Sequence, residues 1–186
     1  VKQVYQIWSG DLIVDKLKLA ENDFINLSQT LAIRLPKQAD QIVSTQLAST
    51  QNPDSRRKLE FLAPTLSASI AIRDTFFDSL AQESNRQTES WVLRALDNLH
   101  HPSRITHAEK YILPSLELLQ EIQTTGDIFF PAGWLNKTLN NHHSAAAIAT
   151  VQSFLQARPE YSAQLRMKIL QAVDIVIRAH AVRRLE

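Results

Sequence analysis

The sequence predicts an all-α protein, and three observations carry that prediction. Apolar residues recur three and four positions apart through almost every segment, which is the helical period. The β-branched residues are scattered, and the Gly and Asn-Gly signals of hairpins are missing. Only 3 Gly interrupt the 186 residues, and the stretches between periodic segments are a few residues long. Short connections make successive helices antiparallel neighbours. Helix starts near residues 22, 54 and 85 give a spacing close to that of helical solenoids. The expected architecture is therefore antiparallel helix pairs stacked as a HEAT-like or armadillo-like superhelix, by geometry, since the letters themselves do not repeat.

Phe24, Leu27, Leu31 and Leu35 form one face of a first clear helix, with Asn22 as its expected N-cap and Pro36 as its stop. Ile42, Val43 and Leu47 continue on a second. Asn52-Pro53-Asp54 predicts a fresh start, because Asn caps, Pro is preset for the first helical position and Asp suits the positive end of the dipole. Leu59, Leu62 and Leu66 are the stripe of that helix. Ile72, Phe76 and Leu80, with Phe77, make another. Asn85 is expected to cap a helix carrying Val92, Ala95, Leu96 and Leu99, which Pro102 closes. Thr106-x-x-Glu109 then has the form of a capping box, in which each side chain satisfies the other residue's backbone N–H. Its helix runs through Ile112, Leu116, Leu119 and Ile122 to Gly126, with a kink or break expected at Pro114. A short helix carries Trp134, Leu135 and Leu139. Two longer ones follow, one with Ala147, Ile148, Val151, Phe154 and Leu155, the other with Leu165, Ile169, Val173, Val176 and Ile177.

Composition excludes several function classes. With 0 Cys there is no disulfide scaffold, Cys-based zinc module, iron–sulfur site or thiol nucleophile. Gly10, Gly126 and Gly133 never cluster, so the glycine loops that cradle phosphates are absent. A net charge of +1 supplies no bulk attraction to nucleic acid, and no apolar run approaches the roughly 20 residues of a membrane span. The chain is expected to be soluble, without a nucleic-acid partner; its compartment stays open. No low-complexity linker marks a boundary, so residues 1–184 are expected to form a single helical domain. The start at Val1 and the closing Leu185-Glu186, a pair that often remains from an expression tag, suggest a fragment of a longer protein.

Candidate chemistry is sparse. Four of the 6 His fall in two doublets, His100-His101 and His142-His143, with His107 nearby. Adjacent helical residues diverge by about 100°, so a doublet seldom offers two ligands to one metal. No H-E-x-x-H or H-x-x-x-H spacing occurs, and capping of helix C-termini by imidazole is the simpler reading. No nucleophile elbow and no paired carboxylates stand out. The basic runs Arg56-Arg57-Lys58 and Arg178, Arg183, Arg184 read as solvated helix faces. No catalytic or metal-binding residue is assigned. Phe129, Phe130 and Trp134 crowd a helix crossing beside Gly126 and Gly133; they either plug the core there or anchor a contact with another domain.

Several segments in order carry a resemblance: Trp8-Ser9-Gly10-Asp11, Gln51-Asn52-Pro53-Asp54, Arg73-Asp74-Thr75-Phe76-Phe77, Glu89-Ser90-Trp91-Val92-Leu93, Leu99-His100-His101-Pro102, the run from Glu121 to Pro131, and Lys168-Ile169-Leu170-Gln171. Together they resemble the C-terminal helical region of a bacterial branch of the gluzincin zinc aminopeptidases. The resemblance implies a helical superhelix that packs over a catalytic domain of the same chain and restricts which peptides enter. It implies zinc in that parent domain, held by H-E-x-x-H and a downstream Glu; none of that motif is in this sequence, so the fragment itself is expected to hold no cofactor. Some members of the family hold a substrate carboxylate with a basic side chain from this region, which makes Arg94, His100, His101 and Arg104 the substrate-facing candidates, the two arginines first. The alternative is a stand-alone α-solenoid that binds a protein or peptide.

Overall fold

The structure, a computed structural model, describes residues 1–183, so the closing Leu185-Glu186 pair and Arg184 lie outside the described residues. Every regular element among them is helical. The chain divides into two compact units, Val1–Phe76 and the part from Phe77 onward, where the sequence shows no linker.

The first unit opens with α1 (Lys2–Ser9), which ends on Gly10 in the left-handed region at φ 84°. An irregular stretch leads to α2 (Glu21–Arg34). This helix begins one residue before the expected cap Asn22, because the Asp23 carboxylate accepts from the Ala20 backbone N–H at 2.8 Å and closes the first turn. Pro36 opens a 3-10 turn, and α3 (Ala39–Ser49) follows. The Asn52 start is as expected: its Oδ1 accepts from the N–H groups of Asp54 and Ser55 at 2.9 and 3.0 Å, and α4 (Pro53–Leu66) grows from it. α2 packs on α1, α3 and α4. Ile25, Leu31, Ala32, Ile42 and Leu59 form the centre of that core, with Val4, Tyr5 and Trp8 of α1 against it. α5 (Ile70–Ser79) carries the chain across the division; Phe76 is buried, but Ile72, expected on the stripe, is exposed.

In the second unit α6 (Glu89–Leu99) starts after Thr88, later than the Asn85 cap predicts. Asn85 sits in a 3-10 turn and donates to the Ser79 carbonyl at 2.9 Å instead. The capping box at Thr106 does not form. The chain from Pro102 to Tyr111 alternates 3-10 turns with the single helical turn α7 (Ile105–Ala108), which places Thr106 inside a helix. α8 (Ile112–Glu117) and α9 (Leu119–Thr125) meet at Leu118, four residues past Pro114, which sits in the first turn of α8 where a missing N–H costs little. α10 (Phe130–Leu139), α11 (Ala145–Gln156) and α12 (Ala163–Arg183) complete the unit. α10 lies at its centre, touching α6, α8, α9 and α12. Ile177, expected on the buried stripe of α12, is exposed along with Met167, Leu170, Ile175 and Val182.

Arginine side chains repeatedly close helix C-termini, where carbonyls lack intrahelical partners and the dipole end is negative. Arg56 donates to Thr50 O at 2.7 Å, Arg73 to Ser67 O and Ala68 O at 2.6 and 2.9 Å, and Arg166 to Leu155 O at 3.1 Å. Arg86, 3% exposed, bonds both the Leu80 carbonyl and the Glu121 carboxylate. Four arginines thus serve the scaffold.

Candidate functional site

The residues singled out from the sequence gather in the second unit. His100 ends α6 and His142 follows α10, 42 positions later. Packing of α10 on α6 brings the first imidazole of each doublet to the other, Nδ1 of His100 to Nε2 of His142 at 2.9 Å. Both are buried, at 0% and 1% exposure. The ring of Tyr111 stands edge-on to His100 with centroids 5.9 Å apart, and the Asn141 amide donates to the His100 carbonyl at 2.9 Å.

The pair is electrostatically one-sided. Burial, and then the neighbouring His142, pushes His100 down from the ordinary imidazole value to about 3. His142 is pushed down to about 4 by burial, which wins over the opposing pull of Glu109, with His143 adding to the depression. Both rings are therefore neutral at pH 7, with one N–H each. One of those N–H groups makes the bond between the rings. The outer nitrogens, His100 Nε2 and His142 Nδ1, have no partner. Whichever tautomer is present, one buried N–H and one buried lone pair go unmatched, at a cost of about 1 to 3 kcal/mol each.

The second member of each doublet has a different task. His101 accepts from the backbone N–H of Ser103 at 3.2 Å, so it caps the start of the next turn rather than the end of α6. The His143 carbonyl accepts from Nδ1 of His180 at 2.9 Å. His107 is exposed. Among the described residues, no group of three or more His, Asp or Glu converges as a metal site. Arg94 is half-buried and Arg104 is 8% exposed, and both residues make interactions within the protein. His100 is sealed inside the unit and Arg104 nearly so, which leaves Arg94 and His101 as the two substrate-facing candidates with more than marginal exposure.

The aromatic corner splits. Trp134 is fully buried and its indole N–H donates to Ser115 O at 3.1 Å, while Phe130 packs edge-on against it at 6.0 Å. Phe129 is 78% exposed and Ile128 69%. Phe130 and Trp134 plug the core; Phe129 and Ile128 form a small apolar knob on the surface. Gly126 holds this corner shut for a reason the sequence does not reveal. Its φ is −99°, which any residue adopts, but a Cβ there would lie 2.7 Å from Phe130 Cδ1 and 2.9 Å from the Ile122 carbonyl. Beside it, the Glu89 carboxylate accepts from the Asp127 N–H at 2.7 Å and ties the corner to the first turn of α6. Gly133 in turn lets α10 approach Leu93 of α6, whose Cδ1 would be 3.0 Å from an added Cβ.

Comparison with protein-family models, with curated proteins and with solved structures finds no match to this chain. The chemistry of the site must therefore be judged on its residues. A sealed, neutral imidazole pair offers no exposed base, nucleophile or ligand set. What it offers is a polar joint between α6 and the end of α10. The partner residue, 42 positions away, could not be read from the sequence, where only the doublets were visible.

Proposed function

We propose that this chain is a non-catalytic helical domain of a zinc aminopeptidase-like metallopeptidase, stacked as a HEAT-like or armadillo-like superhelix, which packs on the catalytic domain of its parent and restricts the peptides that enter. The observation that carries the proposal is the ordered series of segments, from Trp8-Ser9-Gly10-Asp11 to Lys168-Ile169-Leu170-Gln171, that resembles the C-terminal region of that family. The work those segments do in the fold supports it. Trp8 donates to Gln46 at 2.8 Å, Asn52 caps α4, Arg73 closes the C-terminus of α4, and Glu89 anchors Asp127. These are scaffold positions, as expected for a part that shapes a chamber and leaves the chemistry elsewhere.

The zinc of the parent does not fit the residues of this chain, whose donors nowhere converge among the described residues. Its ligands belong to the H-E-x-x-H and downstream Glu of the catalytic domain, where zinc would supply an activated water. In this proposal the Ile128 and Phe129 knob is a contact with that domain, and Arg94 is the better placed of the two arginines to meet a substrate carboxylate. The parent reading frame tests this directly: an upstream H-E-x-x-H with a further Glu is expected, and its absence removes the proposal. A second reading, a stand-alone peptide-binding solenoid, is favoured by a cavity among α1, α2 and α3, described next.

A further inference from the structure

The first unit contains an open cavity of about 580 Å³ bounded by α1, α2 and α3. That volume is in the range of small-ligand sites, roughly 300 to 1,000 Å³. Its apolar side is formed by Tyr5 and Trp8 from α1, Phe24 from α2 and the buried Ile42 from α3, and the rest of its lining is polar, from Ser9, Glu21 and the Gln and Ser/Thr side chains of α3. Tyr5 and Trp8 lie tilted at 58° with centroids 5.7 Å apart. The indole N–H of Trp8 is held by Gln46 Oε1 at 2.8 Å, and Gln46 is itself 3% exposed, so the ring is fixed in place before anything binds.

One formally charged residue lines this cavity, and it is an acid. Glu21, in the first turn of α2, accepts from the backbone N–H groups of Gln51 at 2.6 Å and Asn52 at 3.3 Å. Those two donors orient its carboxylate. They leave part of its capacity of about four lone-pair sites unused. No Lys, Arg or His among the described residues pairs with it. A carboxylate with no cationic partner, lining a cavity with three aromatic side chains, repels anions and favours a cation with a flat or apolar body. A guanidinium meets both demands, stacking on a ring while bonding a carboxylate, and it does so better than a compact, strongly hydrated ammonium.

We propose that the cavity among α1, α2 and α3 binds the arginine side chain of a peptide, with Glu21 pairing the guanidinium, Trp8 stacking on it and Tyr5, tilted to Trp8, flanking its aliphatic stem. The proposal does not rest on the peptidase reading, since it needs only the residues of the first unit.

The test is a titration of the whole chain with an acetylated, amidated peptide bearing one central arginine, followed through the indole N–H resonance of Trp8. The resonance is assigned by loss in Trp8→Phe. The expected result is a saturable shift of Trp8, absent from Trp91 and Trp134, with at least about tenfold weaker binding when arginine is replaced by neutral citrulline. Glu21→Gln keeps one oxygen that the Gln51 and Asn52 amides can share, and so should stay folded with a stability loss of about 1 kcal/mol or less, yet lose binding by a similar factor. No shift at millimolar peptide, equal binding of the citrulline peptide, or undiminished binding to a folded Glu21→Gln overturns the proposal. A lysine peptide binding as tightly as the arginine one overturns the guanidinium assignment. Should Glu21→Gln fail to fold, the citrulline comparison on the wild type still decides.

Discussion

Acidification should weaken the fold through the imidazole pair, and the size of the loss follows from the structure. In the unfolded chain His100 and His142 titrate near the ordinary imidazole value of 6.5; in the folded protein burial pushes them down to about 3 and about 4. Between those limits the unfolded state holds more protons than the folded one, so stability rises with pH there. The stabilisation is complete well above pH 6.5 and drains away as pH falls towards the folded values. At about pH 5 each ring has lost the equivalent of about 1.5 pH units at 1.36 kcal/mol each, or about 2 kcal/mol. That figure depends on the unfolded value alone, provided both folded values stay below 5. The pair together loses about 4 kcal/mol, a large share of the 5 to 15 kcal/mol of a typical domain. Urea unfolding at about pH 7.5 and about pH 5 measures the loss. The double variant His100→Gln/His142→Gln retains an amide pair that does not titrate, so its stability should change by less than about 1 kcal/mol over the same interval. Equal losses in the wild type and the double variant would refute the reasoning. So would imidazole NMR signals of either residue that titrate near 6.5 in the folded protein.

Four further substitutions probe the packing. Gly126→Ala forces a Cβ to within 2.7 Å of Phe130 and 2.9 Å of the Ile122 carbonyl, and should destabilise by about 1 to 3 kcal/mol in denaturant unfolding; an unchanged midpoint would contradict the close approach. Phe129→Ala, at 78% exposure, should leave the stability of the isolated chain within about 0.5 kcal/mol, whereas Phe130→Ala, at 3%, should cost about 3 to 5 kcal/mol; similar losses for both would refute the division of this corner into knob and plug. Arg86→Met removes donors from the Leu80 carbonyl and from Glu121, and a loss of about 2 to 4 kcal/mol is expected, tempered because Glu121 is 43% exposed and can be rehydrated. Thermal melts would show it, and a neutral outcome would mean the arginine is not a needed cap.

What could be read from the sequence was whatever is decided locally. The Asn52-Pro53-Asp54 start and the Leu59, Leu62 and Leu66 stripe stand as expected, because cap, proline and period lie within one helix. Boundaries failed where a competing partner was nearby. Asn22 lost its capping role to Asp23, and Asn85 turned back to Ser79. At Thr106, a chain of 3-10 turns replaced a regular helix start. Stripe positions failed at Ile72 and Ile177, whose periodicity fits a buried face that the packing leaves open. For the candidate site, the sequence drew attention to His100 without revealing its partner, since pairing across 42 residues follows from the packing of α6 on α10. Gly126 ends α9 as expected, but in an extended and not a left-handed conformation, so what favours glycine there is the close contact with Phe130. Glu21 left no trace at all as a site residue, because its meaning depends on the aromatic walls contributed by α1 and α2.

The accessory-domain proposal meets its most direct test in zinc content and aminopeptidase activity, measured side by side on this chain and on its full-length parent. Stoichiometric zinc and hydrolysis of amino-acid amides are predicted for the parent, with neither in the chain alone. Hydrolysis by the isolated chain, or a parent without an H-E-x-x-H zinc site, would contradict it.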